Sequence, residues 1–302
     1  MGGILVTGAS GLLGQTLTKR LLAEGREMVG LTGGTPGPNQ MQCDIRDPAQ
    51  VRAAVEAIQP DVVIHAAALS SVTANAPANY YLTNVIGTEN LLVPLSELGK
   101  RVRLMMISTA GVYGNHPVDV LTEDLPPQPV HHYGLSKFAA ERLTQNYSDT
   151  LDWTIVRPFN IIGAAQAKSF ILPKLCLAFA AGERQVRLGN IDVYRDYIDV
   201  DSACEILIRL IDREASVGAT VNLCTGHGTS LRELIDLLQE IAGYEIEIVA
   251  APEFTRKSEV WRLLGSEKKL ERCLGTPVPS RPLKSVVYEV LDAIGASRGV
   301  GK

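Results

Sequence analysis

The sequence predicts an α/β fold of the doubly wound kind: a parallel sheet with helices on both faces, joined to a smaller unit built from two separated pieces. Three observations carry this expectation. Short apolar runs alternate with helical patterns through the first half of the chain, a glycine-rich turn joins the first run to the first helix, and the pattern changes after Arg157. Strands that alternate with helices pair in parallel, because each return needs a crossover long enough to hold a helix.

Residues 4–6, 28–31, 62–65, 104–107 and 154–156 are short and rich in Ile, Leu, Val and Met, as strands covered on both faces require. Between them, Asp47-Pro48 reads as a cap followed by a first-turn proline, after which Val51, Val55 and Ile58 fall on one helical face. Residues 76–98 form another long helical stretch, with Pro77 and Pro94 towards its ends. Beyond Arg157, residues 158–191 mix loops with a helix near 172–181, and 192–224 return to helix (202–211) and strand (221–224). Residues 231–241 make an amphipathic helix with Ser230 as its cap, and the tail from Pro252 is rich in charge and proline. The expected division is residues 1–157 and 192–224 in one unit, with 158–191 and 225–302 closing over the C-terminal edge of its sheet.

Composition bounds the function. The 302 residues are 46% hydrophobic and 21% charged, which fits a folded globular chain, and the net charge of −4 favours neither nucleic acid nor an anionic membrane as partner. No apolar run approaches the roughly 20 residues of a membrane span. The opening Met1-Gly2-Gly3-Ile4-Leu5-Val6-Thr7 has no basic lead-in, so a cytoplasmic location is expected. Cys43, Cys176, Cys204, Cys224 and Cys273 are odd in number and widely spaced. They read as reduced core thiols rather than disulfides or metal ligands.

The segment Thr7-Gly8-Ala9-Ser10-Gly11-Leu12-Leu13-Gly14 follows the first strand and opens a helix. Gly8 permits the tight turn, Gly11 lets backbone amides approach a pyrophosphate, and Gly14 allows the helix to pack closely on the sheet. The helix N-terminus then offers free N–H groups and a partial positive charge. Its context, strand before and helix after, makes this a dinucleotide site rather than a structural turn. An NAD site usually ends its second strand in an acid for the adenosine ribose. Here the strand ends Leu31-Thr32-Gly33-Gly34, and no arginine adjoins it; Arg26 and Arg46 are the nearest. NAD and NADP both stay open, with a lean to NADP or dual use. Asp44-Ile45 contacts the adenine or is a plain loop acid.

Tyr133-Gly134-Leu135-Ser136-Lys137 places Tyr and Lys four apart, on one face of a helix. An ammonium and a positive nicotinamide ring both favour the phenolate, so Tyr133 is expected to have a lowered pKa and to exchange a proton with a carbonyl or hydroxyl oxygen. Lys137 can also hold ribose hydroxyls. A Tyr/Lys pair is common on helices; order singles this one out. It follows the glycine loop and a strand ending Ile107-Ser108-Thr109, whose Thr109 lies at the sheet's C-terminal edge, where it can bond the reacting oxygen. His131 and His132 read as a solvated helix start, and His65 as a satisfied core histidine.

Taken together, TGxxGxxG, Asp44-Ile45, Asn84 in Asn84-Val85-Ile86-Gly87-Thr88, Ser108-Thr109 before Val112-Tyr113-Gly114, and YxxxK resemble the extended short-chain dehydrogenase/reductase family, over nearly the whole chain. The resemblance implies a Rossmann-type fold acting on nucleotide sugars. It implies a cofactor held by Gly8, Ser10, Gly11, Leu12, Leu13, Gly14, Asp44, Ile45, Ala66, Ala67, Ala68, Asn84, Ser108, Tyr133, Lys137, Pro158 and Phe159. In the second half, Arg157-Pro158-Phe159-Asn160, Gly163, Gln166, Ser169-Phe170, Pro173, Leu188-Gly189-Asn190-Ile191-Asp192, Arg195-Asp196-Tyr197, Asn222-Leu223-Cys224-Thr225-Gly226 and Ser258-Glu259-Val260 resemble the GDP-4-keto-6-deoxymannose reductases. That resemblance puts Asn160, Lys174 and Arg195 at the sugar or diphosphate, Arg256 and Glu259 near the nucleoside, and Ser70, Ser71, Thr109 and Ser169 along the substrate. Arg195 also makes independent sense, since a guanidinium suits a diphosphate; its alternative is a surface ion pair with Asp196 or Asp199.

Departures narrow the chemistry. Ala110-Gly111 follows Thr109 where the related 4,6-dehydratases carry an Asp-Glu type pair, and Gly111 stands where fucose synthases place a cysteine for epimerisation. Many of the mannose reductases have an acid there, which leaves the substrate open. The leading expectation is NAD(P)H-dependent reduction of the C4 ketone of a GDP- or dTDP-linked 4-keto-6-deoxyhexose, with Thr109, Tyr133 and Lys137 as the reacting centre. A 4-epimerase holding NAD tightly is the alternative, and a non-catalytic dinucleotide-sensing protein a more distant one. The resemblance also implies a homodimer joined through the helices over 76–98 and 133–147.

Overall fold

The computed structural model describes residues 3–70, 76–251 and 260–299. The first half runs β1 (Ile4–Thr7), α1 (Leu12–Ala23), β2 (Met28–Thr32), β3 (Gln40–Gln42), α2 (Pro48–Ile58), β4 (Val62–His65), α3 (Pro77–Tyr81), α4 (Gly87–Ser96), β5 (Val102–Ile107), α5 (His132–Gln145) and β6 (Leu151–Pro158). The second half runs β7 (Asn160–Ile162), α6 (Ile171–Ala180), β8 (Gln185–Leu188), β9 (Tyr194–Asp199), α7 (Val200–Ile211), β10 (Thr220–Leu223), β11 (Gly228–Ser230), α8 (Leu231–Ala242), β12 (Glu247–Ala250), β13 (Arg262–Leu263), α9 (Lys268–Leu274) and α10 (Leu283–Gly299).

Seven strands make one sheet in the order β10-β6-β5-β4-β1-β2-β3, parallel throughout. This is the Rossmann-type doubly wound sheet, with the order reversing between β1 and β4. One face carries α1, α7 and α9, packing Leu17, Leu21, Ile206, Leu210 and Leu270 onto Val6, Ile64 and Val221. The opposite face carries α2 and α4, with Val51, Val55, Leu91 and Leu95 over Leu5, Val63 and Leu104. Both faces of the strands are therefore covered, which is why their sequences read as unbroken apolar runs.

Asp47 caps α2 by accepting from the amides of Ala49 and Gln50, with Pro48 at the first helical position. Ser230 and Glu233 form a reciprocal capping box on α8. The stretch expected as one helix over 76–98 is instead α3 and α4 joined by a π-helical turn, Leu82–Ile86. A hydrophobic period does not reveal such a change, because the apolar stripe continues across it. Side-chain bonds hold it in place: the Thr88 hydroxyl donates to the Asn84 carbonyl at 2.7 Å, inside that turn.

The second half adds a small sheet, β11-β9-β13 with β7 on β9, and a parallel pair, β12-β8. A separate core lies there, made by Leu172, Leu175 and Phe179 of α6, Leu234 and Leu238 of α8, and Val286 and Val290 of α10. The charged tail also supplies α9, whose Leu270 and Leu274 join the core of the large sheet.

Candidate active site

The phosphate loop is built by glycine at positions where a side chain would collide. Gly8 has a φ of +71°, and a Cβ there would lie 2.8 Å from the Ala67 backbone, so β1 and β4 approach as no other residue allows. A Cβ on Gly14 would sit 2.2 Å from the Gly8 carbonyl oxygen, so α1 reaches the loop only as glycine. Gly11 caps α1 without a side-chain hydrogen bond, which leaves the first amides of the helix for a ligand.

Above the loop opens a cavity of about 470 Å³, lined by Gly8, Ser10, Gly11, Asp44, Ile45, Ala66, Ala67 and Ala68 of the expected cofactor residues. Its size, glycine floor and free helix amides fit a dinucleotide. Leu12 and Leu13 begin α1 and pack partly into the core beneath. Sequence reasoning missed Leu31, Gly33, Cys43, Arg46, Leu69, Asn79 and Thr83 in the same wall. Asn79 and Thr83 were discoverable, being four apart in the same helical stretch. Arg46 grips both Asp44 oxygens and holds that carboxyl below its usual range. At the end of β2, where an acid would stand, the buried Thr32 hydroxyl donates to Ser10 Oγ at 2.9 Å.

His65 ends β4 beside Thr7 in register. Thr7 Oγ1 accepts the Ala67 amide at 3.1 Å and lies 2.7 Å from His65 Nδ1; His65 Nε2 lies 2.9 Å from Thr88 Oγ1. Thr88 donates onward to Asn84, so it accepts from His65, and the ring is the neutral Nε2–H tautomer. Burial, with the Lys137 charge nearby, pushes this histidine down to about 3. Asn84 itself is fully buried. Its amide bonds Leu69 N at 2.8 Å, Leu69 O at 3.2 Å and Ser136 Oγ at 3.0 Å. It meets the cavity through Leu69 and ties that wall to the helix bearing Tyr133.

Thr109 and Tyr133 come together: the Thr109 side chain lies close enough to the phenol to favour its phenolate. Thr109 Oγ1 also accepts the Gly111 amide at 3.0 Å, which orients the hydroxyl. The lowered Tyr133 pKa expected from Lys137 is not what the protein alone holds. Burial pushes Tyr133 up to about 12, opposed by Thr109, and pushes Lys137 down to about 8. Desolvation penalises both charged forms and outweighs what opposes it, Thr109 at Tyr133 and the Glu141 charge at Lys137. Lys137 Nζ is buried with no hydrogen-bond partner among the described residues, an orphaned donor. Ser108, one residue before Thr109, turns the other way and donates to Glu141.

His131 is more than a solvated helix start. Its Nδ1 accepts the Gly134 amide at 2.9 Å and caps α5, and its ring stacks near Tyr133 with centroids 6.1 Å apart. A Cβ on Gly111 would meet this ring at 3.2 Å and Thr109 Oγ1 at 3.3 Å, so the missing side chain at Gly111 makes room for it. His132 is exposed, with Tyr81 Oη at 2.9 Å. A histidine serving as a side-chain cap three residues before a glycine was the available signal.

Of the remaining expected residues, Pro158 ends β6 and Phe159 is buried with Ala110, Tyr113 and Cys224. Asn160 pairs with Tyr197 across β7 and β9. Lys174 Nζ donates to the Arg187 carbonyl at 3.3 Å, and Ser70 and Ser169 are exposed. Arg195 Nη1 donates to the Tyr194 carbonyl at 2.8 Å. The carboxylate beside it is engaged elsewhere: Asp196 takes the Thr225 amide and hydroxyl and the Gly226 amide, while Asp199 caps α7. Ser71, Arg256 and Glu259 lie outside the described residues.

Comparison with known proteins agrees with this geometry. Residues 4–224 match the NAD dependent epimerase/dehydratase family. The chain is 36% identical over 288 residues to the GDP-6-deoxy-D-talose 4-dehydrogenase of Aggregatibacter actinomycetemcomitans, covering 95% of this chain and 96% of that one. It is 34% identical to the GDP-6-deoxy-D-mannose reductase of Pseudomonas aeruginosa, with 90% of each covered. The structure of RMD from Pseudomonas aeruginosa complexed with NADPH superposes with a TM-score of 0.86 at 30% identity, over 98% of this chain and 100% of that one. A glycine-floored cavity at the switch point of the sheet and a family match over most of the chain place this protein in the NAD dependent epimerase/dehydratase family.

Proposed function

We propose that the protein is an NAD(P)H-dependent nucleotide-sugar 4-ketoreductase, acting on a GDP- or dTDP-linked 4-keto-6-deoxyhexose. The observation that carries this reading is the Thr109–Tyr133 hydroxyl pair at the end of β5, with Lys137 four residues on. Reduced nicotinamide supplies the hydride to C4 when bound. Thr109 bonds O4 and aligns the carbonyl, and Tyr133 gives O4 its proton as negative charge develops there. Lys137, as an ammonium, favours the resulting phenolate and holds ribose hydroxyls. The reverse direction uses the same groups with the proton returning to Tyr133. Relatives acting on GDP-6-deoxyhexoses support the sugar class, and Ala110-Gly111 adds no acid or thiol for a second proton transfer.

The expected partner is a second copy of the chain. Leu82, Ile86 and Leu135 are 47%, 48% and 44% exposed on the helices over 76–98 and on α5, an apolar surface suited to helix packing. All five cysteines are buried and unpaired, which supports a reduced cytoplasmic setting. No described helix is long and apolar enough to cross a membrane. The direct test incubates GDP-, dTDP- and UDP-4-keto-6-deoxyhexoses with NADH or NADPH and follows absorbance of the reduced cofactor. Stoichiometric oxidation with a GDP or dTDP substrate supports the reading. Interconversion of UDP-hexoses without net oxidation, on protein purified with NAD bound, replaces it by a 4-epimerase.

A further inference from the structure

Glu141 has no part in the chemistry described above, yet it is 2% exposed and extends the catalytic stripe of α5: Tyr133, Lys137 and Glu141 follow at successive intervals of four. Its Oε1 accepts Arg157 Nε at 3.0 Å and its Oε2 accepts Arg157 Nη2 at 2.8 Å, a two-pronged pair between α5 and β6. Oε1 also accepts the Ser108 hydroxyl, so one carboxylate grips the end of β5 next to Thr109. Arg157 continues to Tyr113 Oη at 3.0 Å, and Tyr113 donates to Asn222 Oδ1 at 2.7 Å on β10.

A buried ion pair is a weak source of stability, since an apolar pair of similar volume often does as well. Its position singles this one out. Glu141 ties α5 to Ser108, and the next residue, Thr109, lies beside Tyr133 on the same helix, so the hold on Ser108 bears on where Thr109 meets Tyr133. Glu141 is also the anion nearest along the helix to Lys137, whose ammonium has no hydrogen-bond partner among the described residues and feels the Glu141 charge without touching it. The other titratable groups around it are His65 from β4, Tyr133 on its own helix, and Arg157 from β6 behind Glu141.

We propose that Glu141 is a positioning residue for the Thr109–Tyr133–Lys137 centre: it sets the register of β5 against α5 through Ser108, and its charge, tempered by Arg157, keeps Lys137 an ammonium. The proposal rests on the reading of those three residues as the reacting centre. Two variants test it. Glu141→Gln keeps the volume and an acceptor for Ser108 and removes the charge. Glu141→Leu with Arg157→Met replaces the pair by an apolar one, so a fold lost through a stranded Arg157 in the first is recovered in the second. In lysine-labelled protein, the 13Cε shift of Lys137, assigned with Lys137→Ala, reports its titration without any substrate.

The expected result is that Lys137 titrates lower in each folded variant: by about one pH unit in Glu141→Gln, which loses one nearby opposite charge and leaves the Arg157 charge behind, and by less in the apolar pair, which removes both charges. The alkaline limb of kcat then moves down with it, and kcat falls while the dissociation constant for NADPH stays within about twofold. Lys137 titrating as in the wild type, with an unchanged pH profile in the apolar pair, overturns the proposal and leaves Glu141 a structural ion pair. Failure of the wild type to reduce any 4-keto sugar removes the substrate reading, while the lysine titration still decides the charge role.

Discussion

At the scale of single residues, His65 shows what burial does to a titratable group in this sheet. With both ring nitrogens committed to threonine hydroxyls, it stays neutral down to about pH 3. In the unfolded chain it takes up a proton near pH 6.5. Between those values the unfolded state binds more protons, so stability falls as pH drops from about 6.5 towards 3, by at most about 1.4 kcal/mol per pH unit from this group. His65→Gln keeps an acceptor and a donor and does not titrate. Urea melts of both proteins from pH 7 to pH 4 are expected to converge as the pH falls, the wild type losing its lead. Parallel curves would show that His65 titrates in the folded state as it does in the open chain.

At the scale of elements, the phosphate loop depends on α1 touching β1. Gly14→Ala places a methyl 2.2 Å from the Gly8 carbonyl and must push the helix away. Overpacking of this kind costs roughly 1–3 kcal/mol, so NADPH binding, measured by its fluorescence, is expected to weaken by about tenfold or more. Unchanged binding would mean that the helix start does not hold the phosphates. On α8, far from the cavity, Ser230→Ala removes a capping box and is expected to lower the unfolding free energy by about 1 kcal/mol, with kcat untouched. These two elements were readable in the sequence because their signals are local: glycines at fixed spacing after a strand, and a serine three residues before a glutamate. The π-helical turn at Leu82–Ile86 was not, since its cause is Thr88, His65 and Asn84 meeting across three elements. Strands of two or three residues, such as β11 and β13, carry too little period to be seen, and the charge of the tail concealed α9. The same division holds in the site. Tyr133 and Lys137 declare themselves by their spacing together with their order after the glycine loop and the strand ending at Thr109, whereas the His131 ring beside Gly111 and the Glu141–Arg157 pair depend on residues brought together only by folding.

At the scale of the molecule, the large sheet holds the cofactor cavity, and we propose that the unit built on α6, α8 and α10 closes over it with the sugar between them. Pairing through the exposed apolar face of the helices over 76–98 predicts a dimer by light scattering. Leu82→Glu with Ile86→Glu is expected to give a monomer that still binds cofactor, because neither side chain lines the cavity. A monomeric wild type would contradict that surface assignment. The central claim is that proton transfer at one carbon runs through the phenol of Tyr133, seated against Thr109. Single-turnover oxidation of NADPH by Tyr133→Phe, with the responsive 4-keto sugar, tests it most directly. The account predicts a loss of about 10²–10⁴-fold, the usual reach of a positioned general acid, with the NADPH dissociation constant near that of the wild type. Turnover at the wild-type rate in that variant would contradict it.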